Sequence, residues 1–598
     1  MYDFRIDKNI QQIMEFFSAT ELFRSLDKNV LKQIAENCEV LHVASGKILV
    51  AQGEPGDSVY FVVYGRLRAF TLTENGEKNI VGEIGRGECM GEMAIFTDEV
   101  RSATVYAIRD SVLLKLSKSQ FEALMIQYPQ AMTVIIKLII KRLQKSLLGP
   151  AYRVSISTIA VVPLTHGTPV QIFIQKLIET LKKNNKTVLH LNHQRILSKL
   201  ANDYDLTAWL NEQEARYNYV IYEAGHQLNN WTQQCLRQAD RILLVSHFNA
   251  KNKLNFTNLH GYSLARQELV LLHEDKSNTP HNTRHWLKQL KVADHHHIMM
   301  DESEDYARLV RRLTGHAIGL VLGGGGARGF AHIGVIRALE EAKIPIDIVG
   351  GTSMGAFVAA AYAMGWDYEK MFYKIQKVYR NPWSLFDFTL PMVSLLAGRK
   401  ASKIVKELFG NTYIEDLWKK FFCISSNLTR ARVMVHERGK LAESVRASGA
   451  LPGVVPPVIQ GGDFLVDGGV LNNLPVDVMN RFCDEGPVIA VDVSSSIDLE
   501  VKTRYRDSLS GWKVLYHKMN PFVESLNVPH LIDILMRTTE LSSVALQHEH
   551  LRMADLYLAP PVKNFGILEF DAAEQIINIG YKFARKKINE WQTGFFKF

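Results

Sequence analysis

A short apolar strand runs straight into a glycine-flanked serine and then into an alanine-rich helix, and few folds accommodate that order. Ile346–Gly350 reads as a strand, Gly351-Thr352-Ser353-Met354-Gly355 follows at once, and Ala356–Met364 reads as a helix. Small residues on either side of Ser353 permit a sharp turn, and the helix N-terminus beside the hydroxyl favours developing negative charge. This is the pattern of a nucleophile elbow at the end of a parallel strand, so this part of the chain should be an α/β layer structure.

Two further motifs frame the serine. Upstream, the apolar strand Ile318–Leu322 enters Gly323-Gly324-Gly325-Gly326-Ala327-Arg328-Gly329, and the helix Val335–Ala342 follows. Such a loop either cradles a diphosphate or aims backbone N–H groups at an oxyanion. A dinucleotide site wants an acid about 20 positions on, at the end of the second strand. Asp347 stands near that distance, but at the strand's start. Downstream, Phe464-Leu465-Val466-Asp467-Gly468-Gly469 ends a strand in an aspartate that can serve Ser353 as a base. Ser448-Gly449-Ala450-Leu451-Pro452-Gly453-Val454-Val455-Pro456-Pro457 precedes it. His332 reads as a helix-face histidine packed against the glycine loop. No histidine after Asp467 (His517, His530, His548, His550) sits in a recognisable loop motif, which favours a dyad over a triad.

These four blocks, in this order, resemble the patatin-like phospholipase domain from about Ile318 to Val478, and Asp571, Gly580 and Tyr581 resemble its downstream end. The resemblance implies a Ser–Asp dyad with Ser353 as nucleophile and Asp467 as base. It implies an oxyanion hole in the backbone of Gly324, Gly325, Gly326, Ala327 and Arg328. It also marks Gly329, Gly351, Gly355, Gly468 and Gly469 as motif glycines, with no metal or cofactor in catalysis.

The N-terminal part reads differently. Val40–Val43, Ile48–Ala51, Val59–Val63, Leu67–Leu72, Asn79–Ile84, Ala103–Ile108 and Val112–Leu116 are short strand runs separated by turn signals, among them Tyr64-Gly65. Helical patterns flank them at Lys28–Asn37, Lys118–Gln127 and Gln130–Leu147. That spacing predicts an antiparallel β-roll. Within it, Gly91-Glu92-Met93-Ala94 and Arg101-Ser102 form a cassette suited to a phosphate: a helical turn opening at Gly91, a guanidinium from Arg101, and Glu92 for a ribose hydroxyl. The stretch resembles the cyclic nucleotide-binding domain, although Met90 stands where that family has Phe. Ser102 leaves cAMP against cGMP open.

Between these parts, Thr158–Pro163, Thr187–Leu191, Tyr219–Tyr222, Arg241–Val245 and Leu269–His273 alternate with helical patterns such as Val170–Lys183 and Ile196–Leu210, which predicts a parallel sheet. The first strand is followed by Pro163-Leu164-Thr165-His166-Gly167-Thr168-Pro169, with no phosphate-binding Gly/Lys loop, so NTP hydrolysis is not expected. His295-His296-His297 reads as a polar strand or surface segment rather than a metal site, because adjacent side chains on a strand diverge.

The chain therefore reads as multidomain over its 598 residues: a β-roll with flanking helices (17–148), an α/β connector (149–315) and a patatin-like α/β hydrolase (316–598, core 318–480) with a C-terminal helical extension. A composition of 47% apolar and 22% charged residues excludes a disordered or coiled-coil chain. Five scattered cysteines without a CxxC pair fit a reducing compartment. No apolar run reaches the ~18 residues of a membrane span, and the N-terminus lacks a signal-peptide core, so the expected location is cytoplasmic with peripheral membrane contact. The order of the three parts resembles the neuropathy target esterase family, with one nucleotide module and no N-terminal anchor, as in a soluble bacterial-type relative. That resemblance implies hydrolysis of a fatty acyl ester of a lysophospholipid or phospholipid.

Expected partners are that lipid, a membrane surface, a cyclic nucleotide as allosteric ligand, and no nucleic acid; the sequence leaves room for a homo-oligomer. Asn381–Pro391, rich in aromatic and aliphatic residues, is read as core packing, an acyl pocket or an interface-dipping segment. The tail Tyr581–Phe598 mixes Lys and Arg with Phe583, Trp591 and Phe595, which suits a headgroup interface or a solvated helix. A nucleotide-responsive scaffold or transcription regulator is the other class considered; residues 148–158 run into a strand instead of a DNA-reading helix-turn-helix.

Overall fold

The structure, a computed structural model, describes residues 10–20, 23–24, 26–72, 78–97, 99–128, 136, 156–183, 185–200, 206–250, 261–275, 279–379, 386–483, 486–494, 508–520 and 552–595. The chain forms two compact units, Met1–Ala317 with Cys483–Gly486, and Ile318–Phe482 with Pro487–Phe598.

The first unit opens with an antiparallel roll. Its main path is Glu39–Val43, Thr104–Ser117, Ser58–Leu72, Lys78–Ile84, with Ile48–Val50 and Cys89–Met90 paired off that path. The turn expected at Tyr64-Gly65 is absent, and one strand continues through it. Gly65 sits at φ +93°, where an added Cβ would lie 2.2 Å from Ser111 Oγ, so glycine here serves a bulge. The register slips around Tyr64 and Arg66 accordingly. Ala103–Ile108 and Val112–Leu116 likewise belong to one strand, Thr104–Ser117. Helices Lys28–Asn37 and Lys118–Gln127 form as expected, the latter capped reciprocally by Ser117 and Gln120. Except for Ile136, the expected helix Gln130–Leu147 lies outside the described residues.

The same unit contains a six-stranded, all-parallel sheet in the order Asp294–Met299, Arg266–His273, Arg241–His247, Thr158–Pro163, Tyr219–Glu223, Val188–Leu191. Its central strands are continuous apolar runs because both faces are covered. The helical pattern at Ile196–Leu210 is realised as two helices, His193–Leu200 and Leu206–Arg216. The triple-histidine run is not a surface segment. It is a sheet-edge strand in which His296 and His297 are buried. His296 pairs with Glu268 at 2.8 Å, and His297 meets His273 at 3.0 Å. After Pro163, the Thr165 hydroxyl bonds those of Thr168 and Ser246, each at 2.9 Å.

Roll and sheet are joined by buried charge. Asp240, buried in the parallel-sheet part, meets Arg66 Nε at 3.0 Å and Arg109 Nε at 3.3 Å, both from the roll. Arg109 also meets Glu214 at 3.1 Å. Arg66 and Arg109 are register partners on neighbouring strands, so the sheet sets their spacing.

The second unit is built on a sheet ordered Val458–Gln460, Asp463–Asp467, Lys420–Asn427, Ile348–Thr352, Gly319–Leu322, Val488–Val491, Leu556–Leu558. The strands from Lys420–Asn427 to Leu556–Leu558 run parallel, and Asp463–Asp467 is antiparallel to Lys420–Asn427. From Gly319–Leu322 the chain winds first to one side and later to the other, so the loop after this strand stands at the switch point where open α/β sheets bind ligands.

Helices Ala331–Glu341 and Ala573–Phe595 pack at unusually close range. A Cβ on Gly334 would stand 2.0 Å from the Ile577 carbonyl oxygen, and one on Gly580 would stand 2.3 Å from that of Ala331. This corrects the tail reading. Phe583 and Trp591 pack against the core, Tyr581 bonds Glu341 at 2.7 Å, and Arg337 lies over the Tyr581 ring. The side chains beyond Trp591 lie outside the described residues. Among the described residues, no helix is long and apolar enough to cross a membrane.

Candidate active site

Ser353 leaves the central strand Ile348–Thr352 and starts the helix Met354–Ala363. Its backbone sits at φ 55°, ψ −122°, a strained conformation for a residue with a side chain. The flanking glycines explain how the turn closes. A Cβ on Gly355 would be 2.1 Å from the Leu322 carbonyl oxygen, and one on Gly351 would be 2.4 Å from it.

Register brings the aspartate to the serine. Thr352 pairs with Ile424, and the next residue, Ser425, pairs with Asp467. The Asp467 carboxylate is buried and interacts with the Ser353 hydroxyl. Burial pushes its pKa up, while the Ser353 hydroxyl and the Gly469 N–H, which donates to Oδ1 at 2.8 Å, pull it back; it settles at about 6. The carboxylate is therefore ionised at neutral pH yet close to its titration range, which suits a general base. A Cβ on Gly468 would lie 2.4 Å from the Ile424 carbonyl oxygen, so that glycine lets the strand end pack against its neighbour.

The segment before the aspartate holds both residues. The Ser353 N–H donates to Ser448 Oγ at 2.9 Å, and the Asp467 N–H donates to the Ala450 carbonyl at 2.9 Å.

The glycine loop lies against Ser353: a Cβ on Gly324 would approach Ser353 Cβ to 3.1 Å. Of the five positions expected to form an oxyanion hole, some have backbone N–H groups already bonded elsewhere. The Gly324 N–H is committed to Asn473 Oδ1 at 3.1 Å, and the Ala327 N–H to the Ile567 carbonyl at 2.8 Å. The Arg328 side chain is tied to the Phe565 carbonyl through Nε at 2.7 Å. Among the described residues, the Gly325 and Gly326 N–H groups have no protein acceptor. Gly329 makes room for Met354, whose Cγ would lie 2.5 Å from an added Cβ.

His332 packs beneath this loop. It is buried, its Nε2–H donates to the Gly323 carbonyl at 2.8 Å, and burial lowers its pKa to about 4, so it is neutral. Asp347 is buried and accepts the Ile318 N–H at 2.9 Å, joining two strands, which removes the dinucleotide reading. Two contributors were missed in the sequence. Asn473 stands six residues beyond Asp467 with no motif of its own, and Ser448 lay in a quoted block without a role. A small apolar crevice, about 10 Å³ and so room for a single water, lies beside the helix that follows Ser353, lined by Phe357, Val358, Ala361, Trp366 and Met371 among others. None of the described residues of Asn381–Pro391 lines it, and Asn381–Leu385 lie outside the described residues.

In the roll, Gly91 (φ +90°) precedes the short helix Glu92–Thr97. Arg101 is buried and donates to the carbonyls of Ser58 at 2.8 Å and Gly91 at 3.2 Å, while its Nε–H has no partner among the described residues. Glu92 is buried too, and Ala94 packs on Gly56, whereas Met93 and Ser102 are exposed. A buried guanidinium with an unused N–H beside a glycine turn fits an anionic ligand.

Family comparisons agree with this layout. Three family models match: patatin-like phospholipase over 320–480, the neuropathy target esterase family P-loop like domain over 155–317, and the cyclic nucleotide-binding domain over 40–128. Neuropathy target esterase sws of Drosophila melanogaster is 36% identical over 91% of this chain and 42% of its own length. Lysophospholipase nte1 of Neosartorya fischeri is 33% identical over 93% of this chain and 42% of its own. Over most of its length the chain resembles the neuropathy target esterase family. It spans about two-fifths of the length of these curated relatives. The solved regulatory domain of Toxoplasma gondii PKA with cAMP is 26% identical to this chain, covering 20% of it and 46% of that one at a TM-score of 0.19.

Proposed function

We propose that the chain is a serine esterase that cleaves fatty acyl esters of lysophospholipids or phospholipids, and that its β-roll binds cAMP or cGMP as an allosteric ligand. The observation that carries the catalytic reading is the Asp467 carboxylate, buried at a pKa of about 6 against the Ser353 hydroxyl on a strained elbow. Asp467 accepts the Ser353 proton as Oγ attacks the acyl carbonyl. The Gly325 and Gly326 N–H groups stabilise the tetrahedral oxyanion, collapse expels the alcohol, and water then releases the fatty acid from the acyl-enzyme. Both steps use residues of this chain and call for no metal. Relatives named lysophospholipase support the substrate class.

The test is labelling by a fluorophosphonate probe together with release of fatty acid from lysophosphatidylcholine. Ser353→Ala should lose both, and Asp467→Asn should lose turnover by orders of magnitude. Near-normal turnover by Ser353→Ala sinks the dyad and leaves the scaffold reading. For the roll, calorimetry with cAMP and cGMP, with Arg101→Ala as control, decides whether a nucleotide binds. Comparing turnover with and without that nucleotide decides whether binding regulates hydrolysis.

A further inference from the structure

The segment Phe388-Thr389-Leu390-Pro391-Met392-Val393 has no charged side chain, and every one of its residues is exposed. Phe388, Leu390, Met392 and Val393 are 72, 76, 83 and 69% exposed. The segment is nevertheless held firmly. Phe388 bridges to Leu396, the Thr389 N–H donates to the Leu395 carbonyl at 3.1 Å, and the Ala397 N–H donates to that of Asp387 at 2.8 Å. Beneath the tip, Leu396 is buried against Val454 and Val455. A contiguous apolar tip on an ordered stem marks a contact surface.

Charge says what it contacts. Asp387, the acid at the base of the tip, is turned inward, where it accepts the N–H groups of Gly398, Arg399 and Lys400 at 3.0, 2.8 and 3.3 Å. The helix that follows, Arg399–Phe409, carries Arg399, Lys400, Lys403 and Lys406 on its exposed surface against the single acid Glu407. An apolar tip fringed by bases matches the acyl region and anionic headgroups of a lipid leaflet. A stable protein interface takes about 20–30 residues a side, far more than this tip supplies.

The stem also grows from the wall of the site. The Leu395 and Leu396 N–H groups donate to the Gly453 and Val454 carbonyls at 2.9 Å each, in the same Ser448–Pro457 segment whose Ser448 hydroxyl holds the Ser353 N–H. We propose that Phe388–Val393 inserts into a lipid surface, with Arg399, Lys400, Lys403 and Lys406 against anionic headgroups, and so brings the esterase site to its lipid substrate. This rests on the lipid-ester reading above for its purpose, but its binding step is measurable without it.

The experiment is flotation of the full chain with phosphatidylcholine vesicles, with and without phosphatidylglycerol. Turnover of a soluble short-chain ester reports whether fold and site survive. The Leu390→Asp/Met392→Asp variant should lose at least tenfold in vesicle-bound fraction. Arg399→Ala/Lys400→Ala should lose only the part that phosphatidylglycerol adds and that salt removes. Leu390→Trp/Met392→Trp should bind vesicles more tightly, which keeps the test valid if the aspartate variant fails to fold. Equal flotation of the wild-type chain and the aspartate variant overturns the proposal. So does a wild-type dimer in sedimentation that the aspartate variant loses, which would make the tip a contact between copies. A wild-type chain that floats but turns over no ester overturns the esterase reading and leaves the membrane contact standing.

Discussion

Asn473 grips Gly324 from both sides: its Oδ1 accepts the Gly324 N–H and its Nδ2 donates to the Gly324 carbonyl, each at 3.1 Å. The grip fixes the plane of the peptide that leads into Gly325 and Gly326, whose N–H groups are the open donors. Asn473→Ala should let that peptide turn. We expect kcat to fall roughly tenfold to a hundredfold with little change in KM, below the 10²–10³ loss for deleting an oxyanion donor outright. An unchanged kcat would show that the loop holds its shape unaided.

Asp467 sets opposite demands on activity and stability. Its carboxyl must be ionised to act as a base, so kcat/KM should rise with pH around a midpoint near 6, its pKa in the fold. Because that pKa lies above the ordinary 3.8, the folded chain holds the proton more tightly than the unfolded chain. Stability from this group is then full below about pH 4 and is lost as pH rises to about 6, by about 3 kcal/mol. Asp467→Asn should therefore unfold at a higher temperature than wild type at pH 8 and at a similar temperature at pH 4, while being inactive at both. Calorimetric scans at the two pH values check this.

The network at Asp240 runs the other way. Burial alone would raise this carboxyl, but Arg109, Arg66 and the Ser157 N–H more than reverse the effect and hold it well below the usual range. Its contribution is present above the unfolded value of ~3.9 and is lost as pH falls through the lower folded value. Asp240→Ala removes the carboxylate that two buried guanidinium groups share, leaving Arg109 with Glu214 and Arg66 with Glu83, and should cost about 3 kcal/mol. Urea unfolding of the full chain, followed by the transition of the first unit, measures it.

Much of this was readable along the chain because its causes are local. The elbow needs Gly351, Ser353 and Gly355 within one turn, and the aspartate ends a strand before two glycines, so short motifs carry both. What stayed hidden depends on distance. Arg66, Arg109 and Asp240 meet only after two sheets have formed, and nothing near any of them in sequence marks the pairing. Gly65 signalled a turn because glycine serves turns and bulges alike; the choice was made by Ser111 across the strand. The triple histidine could be read as a strand or a surface segment, and its burial stayed hidden because its partners, Glu268 and His273, come from the neighbouring strand.

Gly334 gives a sharp packing test. In an isolated helix, Gly→Ala gains up to ~1 kcal/mol. Here the added methyl would meet the Ile577 carbonyl oxygen at 2.0 Å and push two helices apart. Gly334→Ala should lower the melting temperature of the second unit, with a net cost of at least 1–3 kcal/mol. A rise in melting temperature would mean that the helices stand further apart than the glycines imply.

That helix contact also bears on how the second unit can be cut out and studied. The patatin model matches residues 320–480, which include the glycine loop, Ser353 and Asp467. A fragment trimmed to those bounds would lack Val488–Val491 and Leu556–Leu558, leaving Gly319–Leu322 as a raw sheet edge beside the serine. It would also bare the Gly334 face that Ala573–Phe595 covers. The smallest piece able to hold its shape is set by where the last helix docks, so motif boundaries are the wrong guide for making an expression fragment of this chain.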